Sequence, residues 1–326
     1  MSWRPAASLD SLRRRAAVIR AVRAFFEARG ALEVETPLLA GSPVTDLHLE
    51  SVSCRLELGG EPRDFYLQTS PEFAMKRLLA AGSGPIFQIA KAVRDGELGA
   101  RHNPEFTMLE WYRPGWDHHR LMDEVDALVR EVLGSEPAER LTYGEAFLRH
   151  VGIDPHGATA GELAEAAALS GLGEIAGLDA GSPVDDWLHA LMSLRVEPRL
   201  GRGGGEAAGA VFLYDYPASQ AALARVRPGS PPVAERFELY VRGVELANGF
   251  HELTDAAEQR RRFEGDLAER RRRGLETPPV DERLLAALEA GLPPCAGVAL
   301  GVDRLVMLAV GASSLDQVLA FPANRA

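Results

Sequence analysis

The sequence predicts an α+β fold in which an antiparallel sheet is flanked by helices. Three observations carry that expectation: several runs alternate apolar and polar residues, they are interleaved with segments of helical period, and neighbouring runs can join as hairpins.

In chain order, Leu12, Ala16, Ile19, Val22 and Phe26 recur at helical spacing. Ser8 or Asp10 can cap the start and Gly30 stands where the helix would stop, so a long amphipathic helix is expected. Leu32 to Thr36 alternates and is closed by Pro37, which reads as a strand at an exposed or terminal position. Ser70-Pro71 offers a cap and a proline for the first helical position; the helix that follows carries Phe73, Leu78 and Leu79 on one side until Gly82. Ile86 to Arg94 and Glu105 to Arg113 read as an antiparallel pair, joined by a polar loop with Gly96, Gly99, His102 and Pro104. Residues 120–200 are rich in Ala and Leu and mostly helical, with a start at Ser182-Pro183 and no evident chemistry, and Gly201 to Gly205 reads as a flexible breaker. A strand at Ala210 to Tyr214, a hairpin around Arg242-Gly243, a helix capped by Asp255, and a last strand and helix from Gly297 to Val310 complete the order.

Composition narrows the function classes. With 46% hydrophobic and 25% charged residues, the 326-residue chain has the make-up of a soluble globular protein. Its net charge of -11 argues against a protein held to nucleic acid mainly by phosphate contacts, which need a basic surface. Cys54 and Cys295 are far apart and have no nearby His, so neither a disulfide framework nor a zinc site is suggested, and a reducing cytoplasm fits. No apolar run reaches the roughly 18 residues of a membrane span. The Arg-rich start, Arg13 to Arg15 with Arg20 and Arg23, runs directly into the first ordered motif, which disfavours a transit peptide.

Polar residues gather on particular strand faces. Alternation from Glu105 puts Phe106, Met108, Glu110 and Tyr112 on one face and Thr107, Leu109 and Trp111 on the other. An aromatic platform beside a carboxylate and a phenol suits a flat base next to a cationic amino group; a half-exposed sheet face gives the same pattern. In the hairpin, a two-residue turn pairs Tyr240 with Glu245 and sets Glu238 diagonally beside Glu245. Two converging carboxylates without His or Cys suit Mg²⁺, and a solvated surface pair is the alternative. Asn248 and Glu252 join that face if Ala247-Asn248-Gly249 hosts a bulge. Arg304, in the first turn of the last helix, can add a bidentate donor for phosphate, or else pair with Asp303. Arg260 to Arg262 and Arg270 to Arg273 lie on a helix buried through Phe263 and Leu267. A basic face there could meet an acidic partner; a solvated helix face is the plainer reading.

These segments resemble the three signature motifs of class II aminoacyl-tRNA synthetases, in order and across nearly the whole chain. The first is the long helix with Glu33-Val34-Glu35-Thr36-Pro37, the second runs from Phe87 to Arg94 and from His102 to Glu110, and the third is Gly301-Val302-Asp303-Arg304. Thr69-Ser70-Pro71-Glu72, the stretch His102 to Glu110 and Glu245 to Leu253 are similar to lysyl-tRNA synthetases. The resemblance implies one catalytic domain over residues 1–326, using ATP and Mg²⁺ to form an aminoacyl-adenylate. It implies that Arg94 and Arg304 hold the ATP phosphates as the catalytic residues. Phe106 would stack on adenine, Asn103 with Asp95 and Gly96 would contact the nucleotide, and Leu246 and Gly301 would line the ATP pocket through their backbones. Glu238 and Glu245 would bind the metal. Ser70, Pro71, Glu72, Glu110, Tyr112, Asn248, Glu252 and Ala299 would surround the amino acid. Several acids around one small pocket suit a substrate with two ammonium groups, lysine or an isomer. One departure stands out: the family's acid two residues after Arg94 is replaced by Gly96, with Glu97 beside it.

About ten residues precede the first helix, whereas an anticodon-binding barrel takes on the order of a hundred, so no anticodon-binding domain is expected and tRNA is disfavoured as a partner. This layout resembles the lysyl-tRNA synthetase paralogues that attach (R)-beta-lysine to a lysine of elongation factor P. Ala299, where lysyl-tRNA synthetases typically carry Gly, implies the same subgroup, and the class implies a homodimer through the first motif. Two alternatives stand: a short lysyl-tRNA synthetase acting on tRNA, and a non-catalytic regulatory paralogue that only binds an amino acid.

Overall fold

The computed structural model describes residues 3–179, 181–202 and 209–326. By internal packing the chain divides into two compact units, Met1–Trp116 with Thr254–Ala326, and Asp117–Leu253.

The first unit opens with α1 (Leu9–Glu27), whose N-cap Ser8 accepts the Ser11 N–H at 3.0 Å. Its buried residues are Val18, Val22, Phe25 and Phe26, while Ala16 of the expected stripe is exposed. Aromatic anchoring sets which side turns inward: Phe26 stacks on Phe87 at 4.8 Å and meets Trp111 edge-on at 5.0 Å. Strand β1 (Leu32–Glu33) is shorter than expected. Strands β2 (Leu39–Ala40), β3 (Ser53–Leu58) and β4 (Glu61–Leu67) form a separate three-stranded sheet. That sheet is not among the elements expected from the sequence: β3 and most of β4 are exposed, and although Cys54, Leu56 and Leu58 alternate with polar residues along β3, β4 carries no such period. Helix α2 (Glu72–Ala80) has Pro71 at its N-cap rather than at the first helical position, and the Ser70 hydroxyl accepts the Glu72 N–H at 3.0 Å. Strands β5 (Ile86–Val93) and β6 (Glu105–Pro114) are antiparallel as expected, and β1 pairs with β5 in parallel.

The second unit comprises α3 (His118–Leu133), β7 (Glu139–Thr142), α4 (Tyr143–His150), α5 (Ala160–Leu169), α6 (Val184–Leu191), β8 (Ala210–Pro217), β9 (Val226–Arg227), β10 (Val233–Val241) and β11 (Val244–His251). Its strands run β7-β8-β10-β11 with β9 beside β10; β7 and β8 are parallel and the other pairs antiparallel. The helical stretch after residue 120 therefore includes an unforeseen edge strand. Helices α4 and α5 start at capping boxes, Thr142 with Glu145 and Thr159 with Glu162, and bury Tyr143, Phe147 and Leu163 in a core shared with Trp187, Leu213 and Tyr216. Gly201 is a point of close approach: an added Cβ would lie 2.7 Å from the Gly209 carbonyl and 2.9 Å from that of Tyr240. The breaker reading thus fails at Gly201, and Gly203 to Gly205 lie outside the described residues. The β10–β11 turn places Arg242 at φ 54° and Gly243 at φ 72°, the left-handed pair of a type I′ hairpin.

The first unit resumes with α7 (Ala256–Arg272), capped by Asp255, then α8 (Glu282–Gly291), β12 (Cys295–Gly301) and α9 (Val302–Ala309). Strand β12 lies antiparallel to β6, giving the order β1-β5-β6-β12 within this unit. The α+β expectation holds; among the described residues β1–β5 and β7–β8 pair in parallel, and β5–β6, β6–β12, β8–β10 and β10–β11 are antiparallel. The basic face expected on α7 is largely consumed by ion pairs. Arg260 meets Glu282, Arg261 and Arg262 meet Glu258, and Arg272 and Arg273 meet Glu269, while Arg270 is buried and reaches Glu50 and the Asp46 and Glu276 carbonyls.

Candidate active site

In the first unit the expected faces of β6 are realised. Thr107, Leu109 and Trp111 are buried on the side of α1, and Phe106, Met108, Glu110 and Tyr112 share the other face. Register places Gln88 of β5 and Ala299 of β12 opposite Glu110, with Gly297 opposite Tyr112 and Gly301 opposite Met108. Glu110 therefore sits mid-sheet beside the Ala299 methyl, its carboxylate receiving hydroxyl protons from Ser70 and Tyr112, each at 2.6 Å. Burial first, and then the charge of Glu72, push the Glu110 carboxyl up to about 7. Pro71 is buried and sets Glu72 in the first turn of α2. There Glu72 accepts Lys76 Nζ at 2.6 Å, a cation buried one turn further along the helix. Lys76 was missed in the sequence, although the i,i+4 spacing from Glu72 was visible. Of the two acids, Glu72 is already matched by a cation, whereas Glu110 is held by hydroxyls and gains from a positively charged ligand.

The other predicted residues of this unit lie around the β5–β6 loop. The Arg94 guanidinium sits 5.1 Å from the centroid of the half-buried Phe106 ring, and Glu97 approaches Arg94 at 3.5 Å. Thus the acid displaced by one position in the sequence still reaches the arginine. Asp95 is exposed and its side chain accepts the N–H of Gly96, whose φ of 74° suits glycine. Asn103 is buried, donates to the Glu105 carbonyl at 2.5 Å and accepts the Ala323 N–H at 2.9 Å, so its amide also secures the C-terminal residues.

Arg304 projects from the first turn of α9, next to Gly301 at its N-cap. The pairing of Arg304 with Asp303, left open by the sequence, is not found. Asp303 is buried and instead binds Arg15 at 2.5 Å and the Thr107 N–H at 2.8 Å, tying α1, β6 and α9 together. Arg304 reaches the Arg101 carbonyl at 3.2 Å and His102 Nε2 at 2.7 Å. Burial, then the Arg304 charge, lower the His102 pKa, so the neutral ring can accept from the guanidinium. His102 was not singled out as its partner.

In the second unit Tyr240 pairs with Glu245 as expected, and a bulge is present but lies at Leu246, ahead of the Ala247-Asn248-Gly249 position proposed for it. Its effect is the expected one: Asn248 comes opposite Glu238, so Glu238, Tyr240, Glu245 and Asn248 share a face. Leu246 is buried at the bulge, and Glu252 is buried at an isolated bridge to Ala224. Glu238 accepts from Tyr216 at 2.6 Å, Tyr240 at 2.5 Å and Arg236 at 2.5 Å, while Arg236 also reaches Asn248 at 3.2 Å. Burial, then the Glu238 carboxylate, hold the Tyr216 and Tyr240 hydroxyls well above the ordinary phenol range, so both stay protonated donors. Three donors leave this carboxylate roughly one of its four lone-pair sites. Together with Glu245 on the same face, an oxygen-only pair fits Mg²⁺, which keeps much of its shell for water and phosphate. Arg236 was overlooked, though its two-residue spacing from Glu238 was legible.

The first unit thus carries a buried acid that gains from a positively charged ligand together with Arg94 and Arg304, and the second unit carries an oxygen-only acid pair. The chain belongs to the family described as tRNA synthetases class II (D, K and N), whose model matches residues 1–325. Among curated relatives, the elongation factor P--(R)-beta-lysine ligase of Salmonella typhi is 53% identical, the alignment covering 100% of this chain and 98% of that protein. The ligase of the same name from Klebsiella pneumoniae subsp. pneumoniae is 52% identical with the same coverage.

Proposed function

We propose that residues 1–326 form one catalytic domain, an AMP-forming ligase that adenylates (R)-beta-lysine or lysine with ATP and transfers it to the epsilon-amine of a lysine of elongation factor P. The observation that carries this reading is Glu110: a buried acid held only by hydroxyls, with a methyl group, Ala299, as its strand neighbour. It would take an ammonium group while the methyl crowds an alpha-amino substituent. Relatives alignable over the full chain carry the same two substrates in their name.

Glu110, with Ser70, Pro71, Glu72, Tyr112, Asn248, Glu252 and Ala299, would orient the substrate so that its carboxylate attacks the alpha-phosphate of ATP in line and pyrophosphate leaves. Arg94 and Arg304 would carry the charge that develops on the phosphates. Phe106 would stack on adenine, with Asp95, Gly96, Asn103, Leu246 and Gly301 completing the nucleotide contacts. Glu238 and Glu245 would hold Mg²⁺, which supplies charge neutralisation at the phosphates. In the second step the acceptor amine attacks the adenylate carbonyl and AMP departs.

The work is proposed for the cytoplasm; among the described residues no helix is long and apolar enough to cross a membrane. A homodimer through α1 and β1 is supported by Leu9 and Leu32, which are 64% and 57% exposed in the single chain. Sedimentation at micromolar concentration should show a dimer. The function is tested by following labelled (R)-beta-lysine into purified elongation factor P and, in parallel, into tRNA(Lys). Label in the protein alone supports the proposal; label in tRNA(Lys) assigns a short lysyl-tRNA synthetase, and absence of any pyrophosphate release assigns a non-catalytic binding module.

A further inference from the structure

The second unit gathers buried polar atoms that none of the roles above employs. His118, the first residue of α3, is 1% exposed, and neither of its ring nitrogens has a hydrogen-bond partner. His251 ends β11, and its Nδ1 lies 2.7 Å from Oε2 of the buried Glu235 on β10, yet the two are misaligned and neither atom has a hydrogen-bond partner. One ligand atom from each of the three residues lies within 4.8 Å of the others, and among the described residues this is a group able to share a metal ion. A fourth buried atom without a partner, Asp215 Oδ1, stands 3.9 Å from His118 Nε2.

Local backbone brings these groups together. The β8–β10 register shifts between Ala234 and Phe237, so that Glu235 and Arg236 face the single residue Asp215, which adopts φ 58°. A bulge of this kind re-aims side chains and here turns two carboxylates toward the histidines. Leaving several buried donors and acceptors unmatched is costly unless something fills the space between them.

We propose that His118, His251 and Glu235 bind one divalent transition-metal ion of the zinc type, with Asp215 as the nearest outer carboxylate. Two imidazoles and one carboxylate are a zinc donor set, whereas Mg²⁺ and Ca²⁺ select oxygen ligands. Tetrahedral ligands at 2.0–2.2 Å from zinc stand about 3.3–3.6 Å apart, so side-chain rotation would open the 2.7 Å contact and close the wider separations, which are all within 4.8 Å. The Arg225 and Arg227 side chains approach the Glu235 carboxylate at 3.5 and 3.7 Å without a side-chain hydrogen bond to it, and Arg225, 55% exposed, can turn toward solvent. Arg227 also holds the other oxygen of Asp215 at 2.6 Å, leaving Oδ1 for the site. The ion would tie α3 to β10 and β11.

The test uses untagged full-length protein stripped with a chelator, loaded with zinc sulfate, desalted and analysed for metal by mass spectrometry. One zinc per chain is expected, with at least a tenfold loss in the His118→Gln/His251→Gln double variant. X-ray absorption on the wild-type zinc form avoids dependence on the variant's folding and should give a nitrogen and oxygen shell at about 2.0–2.1 Å with two imidazoles and no sulfur. Less than a tenth of an equivalent in the wild type, undiminished loading of the folded double variant, or a sulfur ligand would each overturn the proposal. Because the readout is the metal itself, it stands or falls separately from the ligase reading.

Discussion

Replacing Glu110 by Gln is expected to stabilise the ligand-free protein at alkaline pH while removing its ability to activate a lysine-type substrate. The folded carboxyl titrates at about 7, against 4.5 for the unperturbed group, because burial and the Glu72 charge disfavour its ionised form. A carboxyl raised on folding favours the native state fully below about 4.5, and that contribution is lost as pH rises through 7. Between about pH 5 and about pH 8 the wild type therefore loses on the order of 2–3 kcal/mol of stability. Gln carries no charge, so the variant lacks this loss. Its amide forces the Ser70 or Tyr112 hydroxyl to turn from donor to acceptor, a cost of about 1 kcal/mol that is independent of pH. The assay is urea unfolding of both proteins at the two pH values without ligand, together with pyrophosphate release. The stability gap between variant and wild type should grow by about 2–3 kcal/mol toward alkaline pH. Superimposable pH profiles would show that Glu110 is not a strained buried acid, and the argument for it as the ammonium receptor would go with that.

Three further outcomes are expected. Asp303→Ala should cost about 3–5 kcal/mol in urea unfolding, since it strands the partly buried Arg15 and the Thr107 N–H; a cost below about 1 kcal/mol would mean the α1–β6–α9 tie is weak. Glu245→Gln should abolish adenylate formation and leave the unfolding midpoint nearly unchanged, because it removes a metal charge without altering volume; full turnover would mean that the acid pair holds no metal needed for the reaction. Ala299→Gly should narrow the preference for (R)-beta-lysine over alpha-lysine by about 1–3 kcal/mol, read from pyrophosphate release with each amino acid; an unchanged preference would move specificity to Glu72, Tyr112 or Asn248.

Local order was largely legible in the sequence, because period and punctuation are local properties. The β5–β6 pair, the Arg242-Gly243 turn, the Asp255 cap and the two faces of β6 all follow from spacing within a few residues. The motifs carrying Arg94, Glu110 and Arg304 are equally local, and with them came the family. What tertiary structure alone decided are pairings between groups far apart in the chain. Asp303 belongs to Arg15, 288 residues away, and not to its neighbour Arg304: Arg15 also donates to the Thr107 hydroxyl, while the second Asp303 oxygen accepts the Thr107 N–H, so the buried groups match one another. The exact bulge at Leu246 appears only in the pairing of β10 with β11, and β4 left no apolar period to read, although Cys54, Leu56 and Leu58 of the exposed β3 do alternate. The cluster of His118, Glu235 and His251 has no spacing that a motif could capture; it exists because α3, β10 and β11 converge. Sequence thus determined the elements and the chemistry that each carries, while packing decided which charges meet, since the cost of an unmatched buried group is settled by its neighbours in space.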